Sequence, residues 1–392
     1  MQRKFRYITG IGHTFEEQLK DLFSVYKPEG VPLRLVIFGD PADNAEYFSH
    51  LGLINRYIPE VFDGKPPVYS YVAQAPLEHD HLEMEVFEVA DGDRCRFSYK
   101  VWMNIPYIVM ETPESRELYL GGVMAGTPGS GIREMSDRVF SDIGEILSLE
   151  NMPVSSIVRQ WNYIEQITLS AGGLQNYQEF NDSRSQFYSI AGWDNGYPAA
   201  TGIGTTCGGV IVDLDAIVPI NGRTKVTPLN NRLQVPAHAY SPRVLIGPGI
   251  NGNDEKSTPK FERAKMISGK SSTQIYISGT AAIRGENSLA DTMIEEQTRI
   301  TLENIEHLIS PEMLASSGVD TKVRAEVCSL RIYLKDGSHY TQCRDFICRR
   351  YPDVSSVYLK ADICRDELLV EIEGYSCIRS RGKLICKTHK DI

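Results

Sequence analysis

Two carboxylates, Glu371 and Glu373, alternate with Val370 and Ile372 near the end of the stretch Ala361-Asp-Ile-Cys-Arg-Asp-Glu-Leu-Leu-Val-Glu-Ile-Glu-Gly374. The stretch reads as a buried strand, on which Leu369, Glu371 and Glu373 share one face while Val370 and Ile372 share the other. Burying a carboxylate costs free energy unless it is paired or put to use. Two acids and a nearby thiol, Cys364, on a core-like strand therefore make Glu371 the first candidate for acid chemistry. An acid that donates a proton near neutral pH needs a raised pKa, and an apolar strand environment provides it. The plainer structural alternatives are a rim carboxylate paired with an arginine for Glu371, and a small buried hydrophobe for Cys364.

Other patterns are set aside on physical grounds. His79-Asp-His81 followed by Glu83 has metal-like composition, but such a run on an exposed loop reads as a solvated turn, so no metal is expected. Gly202-Ile-Gly204-Thr-Thr-Cys-Gly208 imitates a phosphate loop but leads into a strand instead of opening a helix. The formal net charge of −10 argues against nucleic acid as a partner. With 42% hydrophobic and 23% charged residues the chain is of ordinary globular composition, and no apolar run is long enough to span a membrane. The basic start Met1-Gln-Arg-Lys-Phe-Arg6 lacks the apolar run of a secretory signal, so a cytoplasmic location is expected. The eight cysteines are scattered without CxxC spacing and are expected as free thiols.

The elements that must position Glu371 follow one script twice. A strand running into a turn (117–126) precedes a helix with apolar positions Ile132, Met135, Val139, Ile143, Ile146 and Leu147; a strand near 156–163, a helix near 177–188 and the strand 209–216 follow. The second pass has a strand at 273–281, a helix at 289–309, a strand at 323–334, a helix at 341–350 and the Glu371 strand. Val-Asp-Leu-Asp and Val-Glu-Ile-Glu then align, with Asp213 opposite Glu371. The expected fold class is α+β: a duplicated unit, each a mixed sheet with helices on one face. Expected boundaries are 1–222 for an N-terminal unit (core 117–217), 223–262 for a Pro/Gly-rich connection, 263–376 for the catalytic unit and 377–392 for a polar tail. Residues 1–95, with a helix at 15–25 and strands at 34–38 and 68–74, are expected to add a strand layer to the first unit.

The second unit resembles the Rid/YjgF family in Tyr276-Ile-Ser-Gly-Thr280, Thr301-Leu-Glu-Asn-Ile305, Arg331-Ile-Tyr-Leu334 and Val370-Glu-Ile-Glu373. The whole chain resembles the chorismatases, of the FkbO-like or 3-hydroxybenzoate synthase type, which carry two Rid/YjgF-like (chorismate-mutase-like) units in tandem. The blocks that carry this are Arg159-Gln-Trp-Asn-Tyr-Ile164, Tyr177-Gln-Glu-Phe-Asn-Asp-Ser-Arg184, Pro198-Ala-Ala-Thr-Gly-Ile-Gly204, Pro259-Lys-Phe-Glu-Arg-Ala264, Ser278-Gly-Thr-Ala281 and Asp362–Glu373. The pattern departs from the family after Ala281, where Ile283-Arg-Gly-Glu-Asn-Ser288 stands in place of a Gly-His.

The resemblance implies cofactor-free cleavage of the enolpyruvyl ether of chorismate to pyruvate and, in one class, 3-hydroxybenzoate. Protonation of the terminal CH2 makes an oxocarbenium ion, so an acid must point at carbon, and its carboxylate then steadies the cation. By resemblance that acid is Glu371, and Gly279 with Cys364 marks the hydroxybenzoate-forming class. The two carboxylates of chorismate call for arginines. The resemblance favours Arg344 and Arg263, with Arg184 and Arg243 as weaker candidates and Tyr240, Gly279 and Thr280 lining the ring pocket. Asp213 is expected to be structural. Rid trimers place sites between subunits, so the site should lie between the second unit and a neighbour, in a monomer acting as a pseudo-oligomer or in a homo-oligomer. The alternatives are a Rid-type enamine/imine deaminase, whose Pro-x-Arg-Ser context is replaced here by Pro352-Asp-Val-Ser-Ser356, and a non-catalytic small-molecule-binding protein.

Overall fold

The computed structural model describes residues 2–379 except 91–94, 126–128, 172, 242, 244–256, 271, 290–291 and 320–323. The first unit contains β1 (Arg3–Gly10), α1 (Phe15–Val25), β2 (Val31–Gly39), α2 (Asn44–Val61), β3 (Val68–Ala73) and β4 (Leu82–Val89). The second contains β5 (Arg96–Trp102), β6 (Ile105–Glu111), β7 (Ser115–Met124), α3 (Ile132–Leu149), β8 (Ile157–Glu165), the small hairpin β9 (Ser170–Ala171) and β10 (Leu174–Gln175), α4 (Asn176–Tyr188), β11 (Ala199–Thr205) and β12 (Val210–Pro219). The third opens with β13 (Lys225–Leu229), β14 (Ala264–Ser268), β15 (Ser272–Ala281) and the hairpin β16 (Ile283–Arg284) and β17 (Asn287–Ser288). It continues through α5 (Ile294–Leu308), α6 (Pro311–Ser316), β18 (Glu326–Leu334), α7 (Tyr340–Arg350), β19 (Ser355–Lys360) and β20 (Val370–Arg379).

One strand order occurs three times: β1-β4-β2-β3, β7-β12-β8-β11 and β15-β20-β18-β19. In each, the first and middle strands pair antiparallel with the last, while the middle and third run parallel. A parallel pair needs a crossover, and α2, α4 and α7 supply it. The expected duplication is present at 115–219 and 272–379 and is extended by a third copy. Residues 3–89 do not add a layer to the second unit, as the sequence reading anticipated; they close a sheet of their own. The expected connection 223–262 likewise begins as β13, an edge strand of the third sheet. The strand carrying Glu371 starts at Val370 and runs to Arg379, so Cys364 sits in the turn ahead of it. The rest of the expected tail, from residue 380, lies outside the described residues.

The helical periodicities explain the packing. On α3, Ile132, Val139, Phe140, Ile143, Ile146 and Leu147 are buried in a core against the second sheet, and α5 buries Ile294, Ile300, Leu302, Ile305 and Leu308 against the third. The sheet faces turned from these helices meet one another, bringing Phe87, Tyr119, Trp161, Tyr163, Tyr276 and Tyr333 into one core. No helix among the described residues is long and apolar enough to cross a membrane.

Charge runs through that shared core. Arg34 on β2 contacts Asp215 on β12 at 2.5 Å, Arg159 on β8 contacts Glu373 on β20 at 2.5 Å, and Arg331 on β18 contacts Glu85 on β4 at 2.6 Å, all six side chains being buried. Each unit thus gives an arginine to the next, and the third returns one to the first. The Trp161 ring lies 4.0 Å from the Arg34 guanidinium carbon and 4.4 Å from that of Arg159. Removing one member of such a pair leaves a buried charge uncompensated. Arg34→Met should therefore lower unfolding free energy by about 3–5 kcal/mol in denaturant titrations. Arg299→Ala, which breaks half-exposed pairs with Glu296 and Glu303, should change it by about 1 kcal/mol or less.

Candidate active site

The last strand of each unit carries two carboxylates two residues apart: Glu83 and Glu85 on β4, Asp213 and Asp215 on β12, Glu371 and Glu373 on β20. The second of each pair takes the neighbouring unit's arginine. The first differs among copies. Glu83 accepts from Thr9 Oγ1 at 2.8 Å and lies 3.1 Å from His79 Nε2, which places His79 in this local network. Asp213 accepts from Ser70 Oγ at 2.5 Å and from the Gly122 amide at 2.7 Å. Glu371 has no hydrogen-bond partner among the described residues and faces a cleft between the second and third units.

Three segments build that cleft. The helix α4 contributes Tyr177, Asn181 and Arg184, and β11 contributes Ala200 and Gly202. The third unit adds Gly279, Ala281, Cys364, Arg365, Leu368 and Glu371, together with Tyr240, Phe261 and Arg263 from the stretch between β13 and β14. Glycine at 279 is required by the acid itself: a Cβ there would stand 1.9 Å from Glu371 Oε1 and 3.1 Å from Thr201 Cγ2.

Burial, then the neighbouring Glu373 charge, pushes the Glu371 pKa up to about 8 against the pull of Arg263 and Arg159. Glu371 is thus protonated at neutral pH. Burial opposes the Glu373 charge, but Arg331 and Arg159, together with hydrogen bonds from Thr201 and Tyr333, outweigh it and hold that pKa below the ordinary range. Burial, then Glu371, pushes Cys364 up to about 12, so this residue is a thiol; the thiolate that would make it a base is disfavoured.

Two buried guanidinium groups at the cleft have donors to spare. Arg184 gives one bond to Asn181 Oδ1 at 2.6 Å, and its Nε has no partner among the described residues. Arg263 bonds the Val235 carbonyl at 2.9 Å and Tyr240 Oη at 2.5 Å, again with Nε unspent. Neither is paired with a carboxylate among the described residues. Buried polar groups are ordinarily satisfied, so unspent arginine donors beside a cleft call for an anionic ligand. Arg365 stacks over the Tyr240 ring at 5.2 Å and is anchored by Ser288 Oγ at 2.9 Å.

The structure brings Glu371, Cys364, Gly279, Tyr240, Arg263 and Arg184 together and leaves three expected ligands outside. Arg344 is half-exposed on α7, 4.0 Å from Glu78 of the first unit. Its exclusion follows from the topology: the crossover helix of each unit faces the next unit's acid, so α4, and not α7, covers Glu371. Thr280 points to the other side of β15 and donates to the Ser278 carbonyl, and Arg243 is exposed. Tyr177, Asn181 and Arg365 also line the cleft and were missed in the sequence. Their signal was available in α4, a helix that buries Asn176, Gln178, Asn181, Ser183 and Arg184 alongside Phe180 and Tyr188. Among the described residues no group of three or more His, Cys, Asp or Glu is arranged to hold a metal ion.

Residues 109–214 match the N-terminal domain of FkbO/Hyg5-like chorismatases. The chain is 33% identical over 239 residues to a 3-hydroxybenzoate synthase of Streptomyces hygroscopicus, an alignment covering 58% of this chain and 65%, just under two thirds, of that protein. It is 30% identical over 262 residues to a chorismatase of Streptomyces rapamycinicus, covering 65% of this chain and 74% of the relative. A chorismatase crystal structure superposes with a TM-score of 0.70 at 22% identity, over 95% of this chain and 98% of the other, which shows a common fold. With this extent of identity and the same three-sheet frame, the chain belongs to the chorismatase family.

Proposed function

We propose that the cleft binds chorismate and that Glu371 protonates the terminal methylene carbon of its enolpyruvyl ether, releasing pyruvate. The observation that carries this reading is a buried carboxyl whose side chain has no hydrogen-bond partner among the described residues, facing a cleft that holds two guanidinium groups with unspent donors; burial and the Glu373 charge raise its pKa, which favours the acid form. A proton aimed at carbon must not be held by an oxygen or nitrogen acceptor, and among the described residues none is hydrogen-bonded to the Glu371 side chain. Arg184 and Arg263 match the two substrate carboxylates, and the ionised Glu371 left after transfer stabilises the adjacent oxocarbenium ion.

The product we assign is 3-hydroxybenzoate. A ring hydroxyl then captures the cation in place of water and gives up its proton. The bond from that oxygen to the ring breaks as the proton on the neighbouring ring carbon is lost, so the oxygen leaves in pyruvate and the former ether oxygen remains as the phenol. Together 3-hydroxybenzoate and pyruvate carry all the atoms of chorismate, whereas hydration would add a water. Gly279 and Cys364 support this class, as does the relative named 3-hydroxybenzoate synthase. The neutral Cys364 thiol serves as a hydrogen-bond donor and proton relay during aromatisation.

Glu371→Gln keeps shape and removes the proton, so kcat should fall on the order of 10²–10⁴-fold with little change in thermal stability. Only the acid form is active, so wild-type kcat/KM, which reports the free enzyme, should be level below and decline as pH rises through about 8. Turnover of Glu371→Gln within a few-fold of wild type would remove this residue from the mechanism. For binding, calorimetry with chorismate should show weaker affinity for Arg263→Lys and Arg184→Lys, which lose the planar fork, and none of this loss for Arg344→Lys. Chromatography should show 3-hydroxybenzoate and pyruvate in equal amounts, and Cys364→Ala should slow aromatisation or divert flux to the dihydroxycyclohexadiene carboxylate. A wild-type reaction giving only that hydration product would overturn the product assignment, and an incubation without pyruvate release would overturn the reaction.

A further inference from the structure

We propose that Glu373 and Thr201 are positioning residues for the acid, keeping the Glu371 carboxyl free of partners and protonated, so that the charge ring joining the units also prepares the reaction centre. The role assigned to Glu371 rests on the reading above; the placement of Glu373 and Thr201 does not.

The second unit supplies an internal control. Arg34 on β2 is opposite Val68, two residues before Ser70; Arg159 on β8 is opposite Ala199, two residues before Thr201. Ser70 and Thr201 are therefore equivalent, and Gly122 and Gly279 end matching stretches, Leu118-Tyr-Leu-Gly-Gly122 and Ile275-Tyr-Ile-Ser-Gly279, at the bulge of their strands. The register of the third unit is shifted by two residues, so Gly122 lies across from Asp213 and Gly279 across from Glu373. In the second unit, Ser70 and the Gly122 amide both donate to the first carboxylate, Asp213. In the third, the Gly279 amide donates to Thr201 Oγ1 at 3.0 Å, and Thr201 donates to the second carboxylate, Glu373. Both donors that satisfy Asp213 are thus spent away from Glu371.

Charge works in the same direction. Glu373 is fixed as an anion by Arg159 at 2.5 Å, Arg331 at 3.1 Å, Trp161 Nε1 at 3.0 Å and Tyr333 Oη at 3.1 Å. It shares a strand face with Glu371, two residues away, and so opposes a second negative charge there. The other groups around Glu371 are Cys364 ahead of β20, Tyr177 and Arg184 on α4, Arg263 before β14 and Arg159 on β8. Arg263 and Arg159 favour ionisation; a substrate carboxylate seated on Arg263 cancels one of them, so binding itself strengthens the hold on the proton.

The test is an infrared titration of the ligand-free protein, following the protonated carboxyl band assigned by its loss in Glu371→Gln, alongside the pH profile of kcat/KM. Wild type should titrate near pH 8. Glu373→Gln should lower both the band midpoint and the alkaline limb by about one pH unit or more, and Glu373→Asp, which restores the charge, should bring them back. Thr201→Val, close to isosteric, frees the Gly279 amide and removes a donor from Glu373, and should move both downward; it decides the matter if Glu373→Gln does not fold. An unchanged midpoint in the folded variants, or no such band in wild type at neutral pH, overturns the proposal. A titrating band in a protein that does not cleave chorismate would overturn the assigned reaction and leave this inference standing.

Discussion

Three buried arginine–carboxylate contacts, each crossing from one unit to the next, are the constraint on which the molecule depends. Taking such charges out of water costs several kcal/mol per ion, and hydrophobic replacements often serve stability equally well. What the charges add is registry. An apolar sheet face tolerates sliding against another, whereas a guanidinium held between a carboxylate and the Trp161 ring has one position. Because the contacts close on themselves, displacement of any sheet breaks two of them. The tyrosines around the ring, Tyr276 on Asp215 and Tyr333 on Glu373, give the buried oxygens further donors.

The catalytic geometry follows from that registry. A carboxylate in the ring fixes the strand, and the residue two positions earlier on the same face must then lie at the seam between units. At that seam the neighbour supplies its crossover helix and third strand. The cleft is therefore shared between units, with Glu371 and Arg263 from the third and Arg184 from the second.

Long-range geometry, more than local structure, escaped the sequence. The apolar spacing of α3 and the polar but regular pattern of α7 place both helices within a residue or two of their observed bounds. The parallel strands β3, β11 and β19 are short, and β11 contains Gly202 and Gly204, so period-two alternation is weak there. The first unit, residues 3–89, shares its strand order with the others but little of their wording beyond Leu-Glu-Met-Glu against Val-Glu-Ile-Glu. Glu371 stood out because a carboxylate is costly on a buried strand, whereas Gly279 was reached through the family resemblance and Cys364, in the turn ahead of β20, through that resemblance and its nearness to the acids. Arg344, favoured by the resemblance, lies away from the cleft because the closed three-fold arrangement brings the covering helix from the preceding unit.

Joining three such units in one chain has an evolutionary consequence. In an assembly of identical subunits, any substitution recurs at every seam, so a carboxyl stripped of its hydrogen bonds would be stripped three times over. A continuous chain separates the fates of the seams. Two, at Glu83 and Asp213, keep their donors and lend cohesion, while one is released to become locally poor in bonds and chemically useful. Substitutions near Ser70 and Thr9 should accordingly be sifted by selection for persistence of the fold, and those near Thr201 and Gly279 by selection for turnover: neighbouring positions of shared ancestry answering to different masters.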